Sequence, residues 1–284
     1  FFEGFTSYYD DLLLRRAGLI DDATYLKLIT KTINQVLQTP GRQVQTVAQA
    51  SFDAWVKYYR QDENTPNATV SYYTKGSLVA LCLDLHLRQH GKATLDDVMR
   101  GLWSRCKAGP MSEADLLAVL EELTGRSYAA EIAQWVHSTD ELPLAALLAA
   151  HGVTLKPDTA RLAQRLGMRV AENHSVQIKT VLRGSAAEQA GFAAGDEWLG
   201  LRVKTQAWRI NKLDDVAFYA GPQTQLVAVV ARDGRLLELP LTLPAAVPPG
   251  SVAQGKSRRQ PAPDTVNLTA TDTAAVSRWL AGAA

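Results

Sequence analysis

The sequence predicts a multi-domain α + β protein, with a mainly α-helical first part followed by a smaller β-rich part. Three observations lead there. The chain has 284 residues, and at about 100–200 residues per domain that is room for two. Apolar residues recur at helical spacing through the first half, with no strand pattern before about residue 151. After Gly152 the pattern turns to short alternating runs separated by glycine-containing turns. The expected division is a helical region over 1–151, a β-rich domain over 160–245, and a linker and C-terminal tail over 246–284.

Each element has a local cause. Asp21 and Asp22 stand where an N-cap is needed, and Leu26, Ile29, Ile33, Val36 and Leu37 follow at helical spacing. Thr39-Pro40-Gly41 stops that helix. Phe52–Tyr59 is aromatic-rich and read as helical, and 62–67, with Pro66, as a loop. Ser71–His90 predicts a long apolar helix ended by Gly91, and Ser112 with Asp115 three residues on begins another. Tyr128–His137 and Leu144–Ala150 predict two shorter helices. Val176–Leu182 alternates as a strand does. Leu226–Val230 and Leu236–Leu243 flank Arg232-Asp233-Gly234-Arg235, a hairpin signal because both central residues must take positive φ. Short helical stretches fall at Ser185–Ala190 and Asp214–Ala220. Pro248, Pro249, Gly250, Arg258, Arg259, Pro261 and Pro263 give 245–265 a linker composition, and Ala274–Leu280 is read as a last turn or two with Trp279 docking.

Composition removes several function classes. There are 30 Lys+Arg against 29 Asp+Glu, a net charge of +1, which argues against non-specific nucleic-acid binding. Two cysteines, Cys82 and Cys106, are too few for a disulfide scaffold and point to a reducing, cytoplasmic setting. No apolar run approaches the ~18–20 residues of a membrane span. The start, Phe1-Phe2-Glu3-Gly4-Phe5, has no initiator Met and no signal-type apolar core, so it reads as a segment of a longer protein. No Gly-x-Ser-x-Gly elbow or glycine-rich phosphate loop occurs.

Phe2-Glu3-Gly4-Phe5-Thr6-Ser7-Tyr8-Tyr9-Asp10 is the most specific stretch. By itself it suits the start of a buried amphipathic helix. Glu3, set among aromatics, would be costly to bury unless it binds a metal or cation. His86-Leu87-Arg88-Gln89-His90 has the i, i+4 spacing of zinc ligands, but Leu87 stands where a catalytic Glu belongs and the pair ends a helix, so a solvent-facing pair is expected. His137, His151 and His174 show no ligand spacing, and the two cysteines read as buried or incidental thiols.

The Phe2–Asp10 stretch resembles the helix of gluzincin metallopeptidases that supplies the third zinc ligand, in an Asn/Phe-Glu-Gly-Phe-x-x-Tyr context, and is closest to the glycyl aminopeptidase family. The resemblance implies that Glu3 is a zinc ligand with Gly4 beside it in the substrate cleft. An upstream His-Glu-x-x-His helix would supply two imidazoles and the general base. Val70-Ser71-Tyr72-Tyr73-Thr74-Lys75-Gly76-Ser77-Leu78 is similar to the Tyr-x-Lys-Gly segment of related zinc aminopeptidases. That implies that Tyr73 donates a hydrogen bond to the oxyanion and that Tyr72 borders the substrate. Phe52–Asn67 also looks like this family, as a loop bordering the cleft. The implied fold is a thermolysin-like helical subdomain, and the implied reaction is zinc-dependent removal of a small N-terminal residue, glycine or alanine, from a peptide substrate. The sequence contains no His-Glu-x-x-His, so the chain by itself is expected to be inactive and to bind no zinc.

Val181–Leu199, with Gly184-Ser185-Ala186-Ala187-Glu188-Gln189-Ala190-Gly191-Phe192-Ala193-Ala194-Gly195-Asp196, is similar to the Gly-Ser-x-Ala-x-x-Ala-Gly-Leu-x-x-Gly-Asp stretch of bacterial PDZ domains. By that resemblance Leu166, Gly167, Met168, Arg169 and Val170 form the loop that holds a peptide C terminus, with the helix at Asp214–Ala220 as the other wall. The groove is alternatively vestigial or filled by its own chain. The rival reading of the whole is a non-catalytic helical scaffold carrying a peptide-binding PDZ module. The oligomeric state is left open.

Overall fold

The computed structural model describes residues 1–90, 93–107, 109–245 and 265–281. It is a mixed α/β structure with antiparallel sheets. The helical part runs α1 (Phe2–Arg16), α2 (Asp22–Leu37), α3 (Val47–Phe52), α4 (Thr65–Ala68), α5 (Thr74–Gln89), α6 (Leu95–Cys106), α7 (Glu113–Thr124), α8 (Ala129–Val136) and α9 (Leu144–Ala150). After it come β1 (Val153–Asp158), α10 (Leu162–Leu166), β2 (Met168–Glu172), β3 (Val176–Val181), α11 (Ala186–Ala190), β4 (Glu197–Val203), β5 (Gln206–Arg209), α12 (Leu213–Ala220), β6 (Gln225–Arg232) and β7 (Arg235–Thr242). The chain ends on β8 (Thr265–Ala270) and α13 (Thr273–Leu280). Among the described residues no helix is long and apolar enough to cross a membrane.

The caps follow the side-chain chemistry. The Asp21 carboxylate accepts from the Thr24 N–H at 2.7 Å and opens α2, which buries Leu26, Ile29, Ile33 and Val36. Ser112 and Asp115 form a reciprocal capping box at the start of α7. α5 is buried nearly all round, because α1, α2, α6, α8 and α9 all pack against it. Its expected stop, Gly91, lies outside the described residues.

Two clusters of buried side chains organise the molecule. The first gathers the helices, and it also takes Val153 of β1, Val266 and Leu268 of β8, and Val276, Trp279 and Leu280 of α13. The second fills the space between a six-stranded sheet, ordered β2-β3-β4-β6-β7 with β5 on β4, and helices α10, α11 and α12. The predicted hairpin forms with Asp233 at φ 49° and Gly234 at φ 77°, and Arg232 faces Arg235 across it.

Three stretches differ from the sequence-based expectation. The helix expected over Phe52–Tyr59 ends at Phe52. Residues 53–59 instead wind through turns closed by Val56 N–H to Asp53 O and Tyr59 N–H to Ala54 O, with a Lys57–Asp53 ion pair. The expected loop over 62–67 contains α4, with Pro66 in its first turn, where its missing N–H costs no bond. The reading of 246–284 as linker and tail missed a strand, while the last turns expected over Ala274–Leu280 form as α13. β8 pairs antiparallel with β1 from Val153↔Ala270 to Asp158↔Thr265, and Trp279 is only 2% exposed. The Pro- and Arg-containing stretch at 246–264 lies outside the described residues.

Candidate functional site

The geometry starts at a pair of glycines. α1 and α5 cross so closely that a methyl group on Gly4 would sit 2.6 Å from the Gly76 carbonyl carbon, and one on Gly76 would sit 3.0 Å from the Gly4 Cα. Only hydrogen side chains allow that approach. The crossing sits at the N-terminal ends of both helices, and it sets residue 3 of α1 beside the turn at 72–73 that opens α5. A buried carboxylate fixes the same pair further along. Asp84 of α5, 1% exposed, accepts from Tyr8 Oη at 2.7 Å, from Arg88 Nε at 3.0 Å to both oxygens, and from the Leu95 N–H at 3.0 Å.

Glu3 itself is exposed, on the face of α1 opposite Gly4, Phe5 and Tyr8. The expectation of an acid that must be buried among aromatics is therefore corrected. Phe5 and Tyr8 turn inward at helical spacing, and Phe2 and Glu3 turn out. Its backbone carbonyl accepts the Thr6 and Ser7 hydroxyls at 3.1 and 2.7 Å, and the carboxylate is left free to face a ligand.

Opposite Glu3 is a cluster of tyrosines. Tyr59 Oη lies 3.1 Å from Tyr72 Oη and 3.0 Å from Tyr73 Oη. The Tyr58 ring stacks on Tyr73 at 5.7 Å and meets Tyr72 edge-on at 5.3 Å, and Trp55 covers Tyr59 at 5.1 Å. Its hydrogen bonds with Tyr72 and then Tyr73 hold the Tyr59 phenol below its ordinary value. The hydrogen bonds with Tyr59 and then Tyr72, with burial and the nearby Glu3 charge behind them, push Tyr73 well above it. Burial first, then the Tyr59 bond and the Glu3 charge, raise Tyr72. Glu3 thus acts electrostatically on all three hydroxyls. A cavity of about 310 Å³ lined by Phe1, Phe5, Val79, Leu83, Leu116 and Ile132 opens beside Gly4 and Tyr72.

The structure therefore brings Glu3, Gly4, Tyr72 and Tyr73 together. Gly4 serves helix contact, since its Cα is against Gly76. Sequence reasoning gave no role to Tyr59, which bridges the two other hydroxyls. The signal present was its place in Lys57-Tyr58-Tyr59-Arg60, thirteen and fourteen residues before Tyr72 and Tyr73.

One carboxylate does not make a metal centre. Among the described residues no three His, Cys, Asp or Glu side chains are grouped to hold an ion, so the residues present do not complete the zinc site that the resemblance implies. His86 Nδ1 is 3.2 Å from Tyr128 Oη, and His90 Nδ1 donates to the His86 carbonyl at 2.8 Å, which turns each ring to a local partner. Cys82 is fully buried, and burial pushes its thiol up.

Of Leu166–Val170, Arg169 lines a cavity next to this cluster, with Tyr58, Ser71 and Thr74. Leu166 ends α10 within the second core. Gly167 sits at φ 68° with its N–H donating to Gln164 O at 3.0 Å and its carbonyl accepting from Leu182 N–H at 2.8 Å. Met168 is buried, and Arg169 reaches Thr39 Oγ1 at 3.5 Å in the helical part. The junction near the tyrosines is held by Asn67, whose amide donates to Val181 O and accepts from Arg183 N–H, both at 2.9 Å.

Comparison with known proteins takes in the same residues. Residues 1–79 match the family model described as M61 glycyl aminopeptidase. A crystal structure of an aminopeptidase N family protein from Idiomarina loihiensis superposes with a TM-score of 0.84 at 27% identity. The match covers 99% of this chain and 48% of that one, so the chain spans about half the length of that relative. No curated protein matches the chain. Residues 1–79, which hold both Glu3 and the tyrosine pair, are thus the part of this chain that is similar to the M61 glycyl aminopeptidase family.

Proposed function

We propose that this chain is the helical and C-terminal part of a zinc-dependent aminopeptidase that removes small N-terminal residues, glycine or alanine, from peptides. The observation that carries this is the Gly4–Gly76 crossing, which sets the exposed Glu3 carboxylate next to the Tyr72–Tyr73 hydroxyls within the stretch that matches the family. Glu3 is then one ligand of a metal whose other ligands come from residues not in this sequence. Bound zinc would polarise the scissile carbonyl and activate water. The chain's own contribution is at the carbonyl oxygen. Tyr73 Oη–H, at the N-terminal end of α5, donates to that oxygen as it gains charge, and a preformed donor there lowers the barrier because it need not reorient. Tyr72 lines the approach.

We read the six-stranded sheet with α11 and α12 as a PDZ-like unit over about 160–245, following the helical region over 1–151. The reading is supported by Ser185 capping α11 and by Asp196, whose carboxylate accepts from the Ala193 N–H at 2.9 Å and is clamped by Arg232 Nε at 2.6 Å. β2 is the outer strand of that sheet, and an extended peptide C terminus would add along it.

The test uses a protein extended at its N terminus to about the length of the structural relative. It should release amine from glycyl or alanyl amides, and Glu3→Gln and Tyr73→Phe should each lower kcat, Tyr73→Phe by about 10²–10³-fold. Elemental analysis of the 284-residue chain after dialysis should find zinc well below one per chain. An extended protein that stays inert, or stoichiometric zinc on this chain, would overturn the proposal.

A further inference from the structure

The tyrosine cluster has a feature that a single oxyanion donor does not require. We infer that Tyr59 is a positioning residue for Tyr73: its hydroxyl, 3.1 Å from Tyr72 Oη and 3.0 Å from Tyr73 Oη, orders a three-hydroxyl relay that leaves the Tyr73 proton aimed at substrate. The inference rests on Tyr73 acting at the scissile carbonyl.

The argument is one of proton counting. Each phenol has one proton to donate and can accept on its oxygen. Tyr72 is the most buried of the three, so its proton is the one least able to go to water and is given to Tyr59. Tyr59 then has its own proton left for Tyr73 Oη. With its oxygen already accepting, Tyr73 turns its proton outward, where the carbonyl oxygen arrives. Donation along such a chain polarises each hydroxyl in turn and strengthens the last bond. The rings are held for this independently of the hydroxyls, with Trp55 over Tyr59 and Tyr58 against both Tyr72 and Tyr73. Removing the Tyr59 oxygen therefore breaks the relay without unstacking the cluster.

The experiment is a double-mutant cycle in the extended protein assayed on an alanyl amide. Tyr59→Phe should lower kcat about tenfold, the worth of one hydrogen bond, with KM within about twofold. Tyr59→Phe/Tyr73→Phe should be no slower than Tyr73→Phe alone, because Tyr59 acts only through Tyr73. Tyr59→His, which keeps a ring and a donor, should recover part of the loss. Urea denaturation of this chain gives a readout without activity, in which the double variant should lose no more stability than the larger single variant. An unchanged kcat in Tyr59→Phe, rates that multiply in the double variant, or additive stability losses would overturn the inference. If Tyr73→Phe itself leaves kcat unchanged, the proposed role of Tyr73 fails and the inference with it. If Tyr73→Phe is slow and Tyr59→Phe is not, only the inference fails.

Discussion

Single side chains in this protein do work that their exposure predicts. Asp84 is buried with Arg88 as its ion partner and with Tyr8 and the Leu95 N–H filling its remaining lone pairs. Asp84→Ala would strand a guanidinium that is itself largely covered, so we expect a loss of about 3–5 kcal/mol by urea denaturation. Asp115 is a different case. The Ser112 hydroxyl and backbone N–H, then Arg105, hold its carboxyl down to about 2. A carboxylate whose folded pKa lies below its unfolded value contributes stability that is whole above about 4 and is lost as pH falls toward 2. The urea midpoint of the wild-type chain should therefore drop across that window, and Asp115→Asn should show a shallower drop with a lower plateau at neutral pH.

At the scale of elements, the close crossing of α1 and α5 decides the site. Alanine favours a helix over glycine by about 1 kcal/mol, yet a Cβ on Gly4 would meet the Gly76 backbone at 2.6 Å. Backbone cannot swing aside as a side-chain tip can, so the clash wins, and Gly4→Ala should destabilise by about 1–3 kcal/mol. In the extended protein it should also lower kcat, since moving α1 moves Glu3 away from the tyrosines. Retained activity with a wild-type melting curve would show that the crossing is not what sets the pair.

At the scale of the molecule, the C-terminal segment closes the first core rather than trailing from it. Asn34 of α2 pairs with both backbone groups of Val266, each at 2.8 Å, as a neighbouring strand would. Gly152 at φ 75° lets Asp272 approach, and its carbonyl accepts the Thr271 N–H at 2.7 Å. Trp279 then packs edge-on against Tyr25 at 6.0 Å. Truncation after residue 264 should remove β8 and α13, uncover one face of α2, leave β1 without its strand partner, and lower the melting temperature of the helical part. Trp279→Ala alone should cost about 3–5 kcal/mol, read by thermal or urea unfolding.

Local chemistry was legible in the sequence wherever a single stretch contains its own reason. The Asp21 cap, the Ser112–Asp115 box, the buried spacing of α2 and the Asp233-Gly234 hairpin are each specified by neighbours within four residues. Glu3 and Tyr73 were legible as candidates through motif resemblance. What sequence alone did not decide was everything that depends on residues far apart meeting. The turns at 53–59 replace a helix because Trp55, Tyr58 and Tyr59 find ring partners among themselves and at 72–73. β8 is a strand because β1, more than a hundred positions earlier, offers it an edge and Asn34 a second one. Two isolated glycines, Gly4 and Gly76, carry no pattern that pairs them until two helices cross. Helix caps and hairpins are fixed by short-range sterics and hydrogen bonds. The joining of Glu3, Tyr59, Tyr72 and Tyr73 into one site is fixed by the packing of α1 on α5, which only the tertiary structure supplies.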